Sequence, residues 1–228
     1  MDSPELVVFD LAGTTVEDRG EVPFAFTAAL AEHGIDVTPE QIAGVRGSSK
    51  RQALARFIPA GPDQAGVADR AYASFRSHLA QRYDVAGVKP VAGAVQAFQW
   101  LREHGIRVAL NTGFDRETTA VLLTALGWLD GVVDAIVCGD DVKAGRPAPF
   151  LIFHAMEVTG VSSVHKVAAV GDTTLDLQAG YHAGVRWNIG VLSGAHDRAA
   201  LERVPHTHLI ASVSDLSSLW STAFTTVD

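Results

Sequence analysis

The chain alternates short apolar runs with longer helical patterns, and this alternation most limits the folds open to it. The apolar runs have the length of buried strands and read ELVVFD, IRVALN, DAIVC, VAAVG, VRWNIG and THLIA. The helical patterns between them include VAGAVQAFQWLREHG, RETTAVLLTALGW and PFLIFHAMEVTG. Such alternation is typical of a parallel sheet covered by helices on both faces. The sequence therefore predicts an α/β fold.

Residues 17–88 interrupt this alternation. Four stretches in this range have helical patterns, and no convincing strand lies among them: PFAFTAALAEHG, TPEQIAGV, SKRQALARF and GVADRAYASFRSHLAQRY. We therefore predict that residues 17–88 form a helical domain inserted after the first strand. Residues 1–16 and 89–228 are expected to form the α/β core, and the stretch GVKP to return the chain to the sheet.

Charge and apolar content exclude several classes of function. The formal net charge is −8, which argues against a nucleic-acid-binding surface, since such a surface needs clustered positive charge. No stretch approaches the roughly 18 consecutive apolar residues of a membrane-spanning helix, so no membrane interaction is expected. The single cysteine, Cys138, cannot form an internal disulfide, and the N-terminus does not resemble a signal peptide. Both observations favour the cytoplasm.

Polar residues follow four of the predicted strands. In an open parallel sheet, ligands bind beyond the carboxyl ends of the strands, so these residues are expected to converge on one edge. They are, in chain order, Asp10, Thr112, Lys143, Arg146, Asp172 and Asp176. Carboxylates are suitable ligands for Mg²⁺, while an arginine and a threonine hydroxyl can bind a phosphoryl group. These functional groups are the ones that phosphoryl transfer requires.

Each of these residues also has a purely structural explanation. An aspartate after a strand is often a turn residue, and GDTTLD reads equally well as a loop with a helix cap. The proline in GRPAP could simply begin a helix. The functional interpretation is favoured because four such features follow four strands of one predicted sheet. The combination, rather than any single residue, indicates an active site.

The segments DLAGTT, NTG, GRPAP and GDTTLD resemble, in this order, the four motifs of the haloacid dehalogenase superfamily of hydrolases. The resemblance implies a Rossmann-like core, with residues 17–88 as the cap domain of that superfamily. It further implies that Asp10 is the nucleophile and forms an aspartyl-phosphate, which water then hydrolyses. Mg²⁺ would be bound by Asp10, the backbone carbonyl of Ala12 and Asp172, with Asp176 supporting the site.

Ala12 stands where ordinary phosphatases of this superfamily have a second aspartate, which protonates the leaving group as a general acid. The AGTT pattern, together with Arg146 in place of the usual lysine, is similar to the phosphonatase branch, whose members cleave a phosphorus–carbon bond. In that branch a cap lysine condenses with the substrate aldehyde and draws electrons from the breaking bond. Lys50, three residues after Gly47, matches its position. The structural alternative is a solvated lysine near the start of a cap helix.

The resemblance implies two groups of site residues. The catalytic group comprises Asp10, Lys50, Thr112 and Arg146. The substrate-binding group comprises Thr14, Arg46, Gly47 and Gly113. Three neighbouring positions differ from the branch, because Arg46 replaces a methionine, Ala53 a histidine and Phe114 a tyrosine. Arg46 could therefore bind a carboxylate or a second anionic group of a different substrate.

Three functions remain open from the sequence. The first is a Mg²⁺-dependent phosphonatase acting on phosphonoacetaldehyde or a related small phosphonate or phosphate. The second is a phosphomonoesterase of the phosphoglycolate or sugar-phosphate type, which obtains its proton elsewhere. The third is a non-catalytic phosphate-binding protein. The chain is expected to be a monomer or a homodimer formed through the cap, in which Phe24 and Phe26 could make the contact.

Overall fold

The sheet is described by a computed structural model that covers residues 3–221, except for the side chains of residues 85 and 86. Its strands are β1 (Leu6–Asp10), β2 (Arg107–Asn111), β3 (Ala135–Val137), β4 (Val167–Gly171), β5 (Trp187–Val191) and β6 (His208–Ile210). Over the described residues they form one parallel sheet in the order β3-β2-β1-β4-β5-β6. The predicted α/β fold is confirmed.

One group of four helices follows β1, and the other helices lie further along the chain. The group consists of α1 (Glu21–Ala31), α2 (Pro39–Ala43), α3 (Lys50–Phe57) and α4 (Gln64–Ala86). The later helices are α5 (Ala94–Glu103), α6 (Arg116–Leu126), α7 (Phe150–Thr159), α8 (Thr174–Ala183) and α9 (Arg198–Leu201), with short 3₁₀ turns at Val164–Lys166 and Val213–Leu219. Within residues 3–221, no helix is both long enough and apolar enough to cross a bilayer.

Both faces of the sheet are buried. Successive residues of a strand point to opposite sides, so each strand contributes side chains to both faces. In β1, Val7 and Phe9 pack in a core shared with α5 and α6, whereas Leu6 and Val8 pack in a core shared with α7 and α8. This two-sided burial explains why β1 reads as a continuous apolar run. Asp10, the last residue of β1, lies between β2 and β4 at the carboxyl ends of the strands.

The helices α1, α3 and α4 pack against one another through apolar residues. The buried apolar residues of α1 recur at the spacing of one helical face, and they are Val22, Ala25, Phe26, Ala29 and Leu30. The ring of Phe26 lies 6.0 Å from the rings of Phe57 and Phe75. The suggestion that Phe26 contacts a second copy of the chain is therefore wrong, because this side chain is only 2% exposed. Phe24 is exposed.

The α1–α4 group meets the carboxyl ends of the strands through residues 46–50. The backbone N–H of Lys50 donates to the carbonyl of Gly113 over 3.1 Å. The guanidinium of Arg146 donates to the carbonyl of Gly47 over 3.0 Å. These bonds bring one segment of the helical group against the sheet edge where Asp10 lies.

Candidate active site

Asp10 is followed by a tight loop that leaves its carboxylate at the sheet edge. The Thr15 hydroxyl donates to the backbone carbonyl of Asp10 over 2.9 Å. Gly13 adopts φ 98°, in the left-handed region that favours glycine, and a Cβ atom there would lie 2.3 Å from Oδ2 of Asp172. The glycine of DLAGTT is therefore needed for Asp172 to approach the loop.

Asp10, Asp172 and Asp176 form a buried acidic cluster, in which one carboxylate oxygen from each lies within 4.8 Å of the others. Asp172 follows β4, and the Thr14 hydroxyl donates to its Oδ1 over 3.0 Å. Asp176 also caps α8, since its Oδ2 accepts a 2.9 Å hydrogen bond from the backbone N–H of Thr173. Asp176 of GDTTLD is thus both a helix cap and a member of the acidic cluster.

The acidic cluster has the donor chemistry of a divalent-cation site. Burial raises the pKa of Asp10 and of Asp172 above the ordinary value, and repulsion from the neighbouring carboxylates adds to this effect. Oδ1 of Asp176 accepts no hydrogen bond of good geometry among the described residues, although Arg146 lies 2.9 Å away. Converging carboxylate oxygens fit Mg²⁺, and a cation among them would favour their ionised forms. The cluster could therefore hold a metal ion.

Arg146 is the cation at the centre of the cluster. Its Nη1 lies 2.7 Å from Oδ1 of Asp10 and 2.9 Å from Oδ1 of Asp176. Its Nη2 donates to the backbone carbonyl of Asn111 over 3.1 Å and also contacts the Asn111 side-chain oxygen. A small pocket opens beside Asp10. Lys143, the second cation predicted for this edge, is exposed and does not line this pocket. Of these two cations, only Arg146 reaches the Asp10 carboxylate.

The two predicted hydroxyl groups take different positions. Thr112 lines the same pocket as Asp10, and its Oγ1 accepts a 3.1 Å hydrogen bond from the backbone N–H of Phe114. A hydroxyl that accepts one bond can still donate its hydrogen to a ligand. Thr14, predicted to bind substrate, is fully buried and directs its hydroxyl at Asp172. Thr14 therefore orients a carboxylate instead of lining the pocket.

Lys50 begins α3, and its side chain lines the pocket together with Asp10. The residue is only 7% exposed, and its amine donates to the backbone carbonyl of Ser48 over 3.2 Å. The amine also lies 5.2 Å from the centre of the Phe114 ring. Burial lowers the pKa of this amine, the negative charge of Asp10 raises it, and the positive charge of Arg146 lowers it. The resulting pKa is about 8. The burial excludes a solvated lysine.

Gly47 and Gly113 lie in this pocket where the helices meet the strand ends. A Cβ atom at Gly113 would lie 2.2 Å from the carbonyl oxygen of Ser48. A Cβ atom at Gly47 would lie 2.3 Å from the hydroxyl oxygen of Thr173. Glycine at these two positions therefore lets residues 47 and 48 lie close to Gly113 and Thr173, where a larger residue would clash.

Arg46 also lines the pocket and forms an ion pair with Asp18. The Asp18 carboxylate is 1% exposed, and its Oδ1 accepts hydrogen bonds from the backbone N–H groups of Gly20 and Val22 over 3.1 and 3.2 Å. Sequence reasoning missed Asp18, as it missed Asn111 beside the central arginine. No local pattern marks either residue, because their partners lie 28 and 35 positions away in the chain.

A larger cavity, of about 240 Å³, lies between α4 and α6. Arg76 of α4 lines it and forms ion pairs with Asp115 and with Glu117. The pair with Glu117 joins α4 to α6. None of the residues predicted for the site lines this cavity. The smaller pocket is lined instead by Asp10, Lys50 and Thr112.

Comparison with known proteins identifies similar chains. The model of the family described as haloacid dehalogenase-like hydrolase matches residues 4–184. The phosphonoacetaldehyde hydrolase of Bacteroides fragilis is 29% identical over 218 residues, which cover 90% of this chain and 82% of that protein. The enzyme of that name from Paraburkholderia xenovorans is 30% identical over 84% of this chain and 76% of its own length. A phosphonoacetaldehyde hydrolase-like protein from Oleispira antarctica has a similar fold, with a TM-score of 0.84 at 23% identity over 97% of this chain and 92% of that one.

Proposed function

Because this chain belongs to the haloacid dehalogenase-like hydrolases, in their phosphonatase-like branch, we propose that it hydrolyses the phosphorus–carbon bond of a small carbonyl-bearing phosphonate. Phosphonoacetaldehyde, which gives the curated relatives their name, is the simplest such substrate. The observation that carries the proposal is the Lys50 amine, which is buried with a lowered pKa in the pocket that Asp10 lines.

In this proposal Asp10 attacks phosphorus and becomes an aspartyl-phosphate. Arg146, 2.7 Å from Oδ1 of Asp10, orients the carboxylate and places positive charge beside the attacked phosphoryl group. Thr112 donates its hydroxyl hydrogen to a phosphoryl oxygen. The strand ends thus hold the phosphorus side of the substrate.

The acidic cluster is the proposed metal site. Mg²⁺ would be held by Asp10, Asp172 and the backbone carbonyl of Ala12, with Asp176 behind them. When bound, it would neutralise charge on the phosphoryl oxygens. The hydroxyl of Thr14, 3.0 Å from Oδ1 of Asp172, would keep that carboxylate in position.

Lys50 acts on the carbon side of the bond. Its neutral amine adds to the substrate carbonyl, and loss of water gives a protonated imine. When Asp10 attacks phosphorus, the phosphorus–carbon bond breaks and its electron pair moves into the carbon chain, which becomes an enamine. Protonation of the enamine carbon and hydrolysis release the carbonyl product and the amine, while water cleaves the aspartyl-phosphate. A pKa of about 8 leaves roughly a tenth of the amine neutral at pH 7.

Ala12 is the reason to prefer this reaction to ester hydrolysis. An alkoxide leaving group needs a proton, and loss of a general acid commonly costs about 10²- to 10⁴-fold in rate. Asp18, a second carboxylate that lines the pocket, does not replace it, because its two oxygens accept hydrogen bonds from Arg46 and from backbone N–H groups. A carbon leaving group that becomes an enamine needs no proton at that step.

We further propose that residues 17–88 act as a cap over a core of residues 1–16 and 89–228. The helices of this range pack on one another through their own apolar residues, and the range contributes Gly47 and Lys50 to the pocket. The cap then supplies the amine, and the core supplies the nucleophile and the cation site.

The test is phosphate release from phosphonoacetaldehyde and from phosphoglycolate, measured in parallel with Mg²⁺ and with EDTA. Wild type is compared with Lys50→Arg and with the control Lys89→Arg, since Lys89 is exposed and lies outside the pocket. The proposal predicts Mg²⁺-dependent turnover of the aldehyde that is lost in Lys50→Arg and kept in the control. Turnover of phosphoglycolate alone, insensitive to Lys50, would identify a phosphomonoesterase instead.

A further inference from the structure

The Arg46–Asp18 ion pair has no part in the proposed reaction, yet it lies in the wall of the same pocket. Arg46 directly precedes Gly47, whose carbonyl accepts a 3.0 Å hydrogen bond from Arg146. Lys50 lines this pocket together with Asp18 and Arg46. A ligand bound to Lys50 therefore lies within the field of this pair.

Asp18 holds the Arg46 guanidinium in one position. One oxygen of Asp18 accepts the backbone N–H groups of Gly20 and Val22, at the start of α1, and the other accepts from Arg46. The Asp18 carboxylate is 1% exposed, so it cannot exchange this contact for water without cost. Asp18 thus acts as a positioning residue for a guanidinium at the pocket wall.

Most of the hydrogen-bonding capacity of Arg46 is unused. A guanidinium carries five N–H donors in a planar fork. Among the described residues, the side chain donates only to Asp18, and it is 21% exposed. The remaining donors are open to a ligand of the pocket, and the arginine fork matches the geometry of a carboxylate.

We propose that the substrate carries a carboxylate on its carbonyl carbon and that Arg46, held by Asp18, binds this carboxylate. The inference rests on the proposed function and narrows its substrate class to 3-phosphono-2-oxo acids. Lys50 condenses with the 2-oxo group and loses water, and the electron pair of the broken phosphorus–carbon bond forms the enamine. Protonation and hydrolysis then give phosphate and a 2-oxo acid, which is pyruvate for the three-carbon substrate.

The competing explanation is that the pair only braces the turn after α2 against the start of α1. A brace would stabilise the fold without distinguishing one substrate from another. The ratio of kcat/KM for two substrates, one with and one without the carboxylate, separates these roles because a uniform loss of folded protein cancels in it.

The experiment measures kcat and KM for 3-phosphonopyruvate and for phosphonoacetaldehyde with Mg²⁺. Wild type is compared with Arg46→Met and with the double variant Asp18→Asn/Arg46→Met. The single variant leaves a buried carboxylate without its cation, whereas the double variant removes both charges and so decides the question if the single variant unfolds. Circular dichroism and Tm report whether each variant is folded.

We expect the wild type to prefer the oxo acid, and both variants to lose roughly 100-fold in the ratio of oxo acid to aldehyde, mainly through KM. A wild type that turns over the aldehyde through Lys50, with a ratio unchanged in the double variant, would overturn this inference and leave the proposed function intact. Phosphate release from neither compound, or release unaffected by Lys50→Arg, would overturn both.

Discussion

Replacing Lys50 by methionine is expected to stabilise the folded protein while abolishing the proposed activity. A pKa of about 8 in place of the ordinary 10.5 means that the fold disfavours the charged amine by about 3 kcal/mol. Methionine is similarly long and uncharged, so this cost disappears. The hydrogen bond to the Ser48 carbonyl is lost as well, which subtracts about 1 kcal/mol. The expected net gain in the free energy of unfolding is about 2 kcal/mol at pH 7.

The gain has a defined dependence on pH. Below about pH 8 the amine is protonated in both the folded and the unfolded chain, and the full cost is present. Between about pH 8 and 10.5 the unfolded chain keeps the proton that the folded chain has released, so wild-type stability rises relative to the variant. The advantage of Lys50→Met is therefore largest near neutral pH and largely gone above the ordinary lysine pKa.

Urea denaturation of metal-free protein with EDTA, followed by circular dichroism near pH 7 and near pH 10, measures this difference. A net gain of about 2 kcal/mol corresponds to a rise in Tm of roughly 4–8 °C for a chain of this size. The control Lys89→Met changes an exposed residue and is expected to stay within about 0.5 kcal/mol of wild type. A Lys50→Met variant no more stable than wild type near pH 7, or equally stabilised at both pH values, would refute the reasoning.

Three further changes test the rest of the site. Asp10→Asn should abolish phosphate release, and it should also abolish the phosphorylated enzyme that we expect mass spectrometry to detect in wild type after an acid quench; a phosphorylated variant would contradict the proposal that Asp10 is the nucleophile. Isothermal titration should detect Mg²⁺ binding to wild type that weakens at least about tenfold in Asp172→Asn, and equal affinities would remove Asp172 from the metal site. Gly113→Ala places a Cβ atom 2.2 Å from the Ser48 carbonyl oxygen and should cost about 1–3 kcal/mol of stability by denaturation, whereas Gly61→Ala, with open space around it, serves as the control.

The strand positions could be predicted because both faces of the sheet are covered. Val7 and Phe9 pack on one side and Leu6 and Val8 on the other, so β1 had to read as an unbroken apolar run. The placement of Asp10 followed from the same geometry, since the residue after the apolar part of a parallel strand lies at the ligand-binding edge. These features depend on local pattern, which a sequence displays directly.

The contacts between distant segments could not be predicted in this way. Asp18 and Arg46 meet because the turn after α2 folds back to the start of α1, and neither residue carries a periodic signal of that contact. The burial of Phe26, by contrast, was readable from the sequence. Val22, Ala25 and Ala29 share its helical face, and such a stripe indicates a core position rather than a contact between two copies of the chain.

The central claim is that Lys50 forms an imine with the substrate, and borohydride trapping during turnover of phosphonoacetaldehyde tests it most directly. Reduction converts the imine into a stable secondary amine that peptide mass spectrometry can locate. We predict one adduct, on the peptide that contains Lys50, formed together with loss of activity and absent in Lys50→Arg. Turnover that continues in borohydride with no adduct on any lysine would contradict the claim.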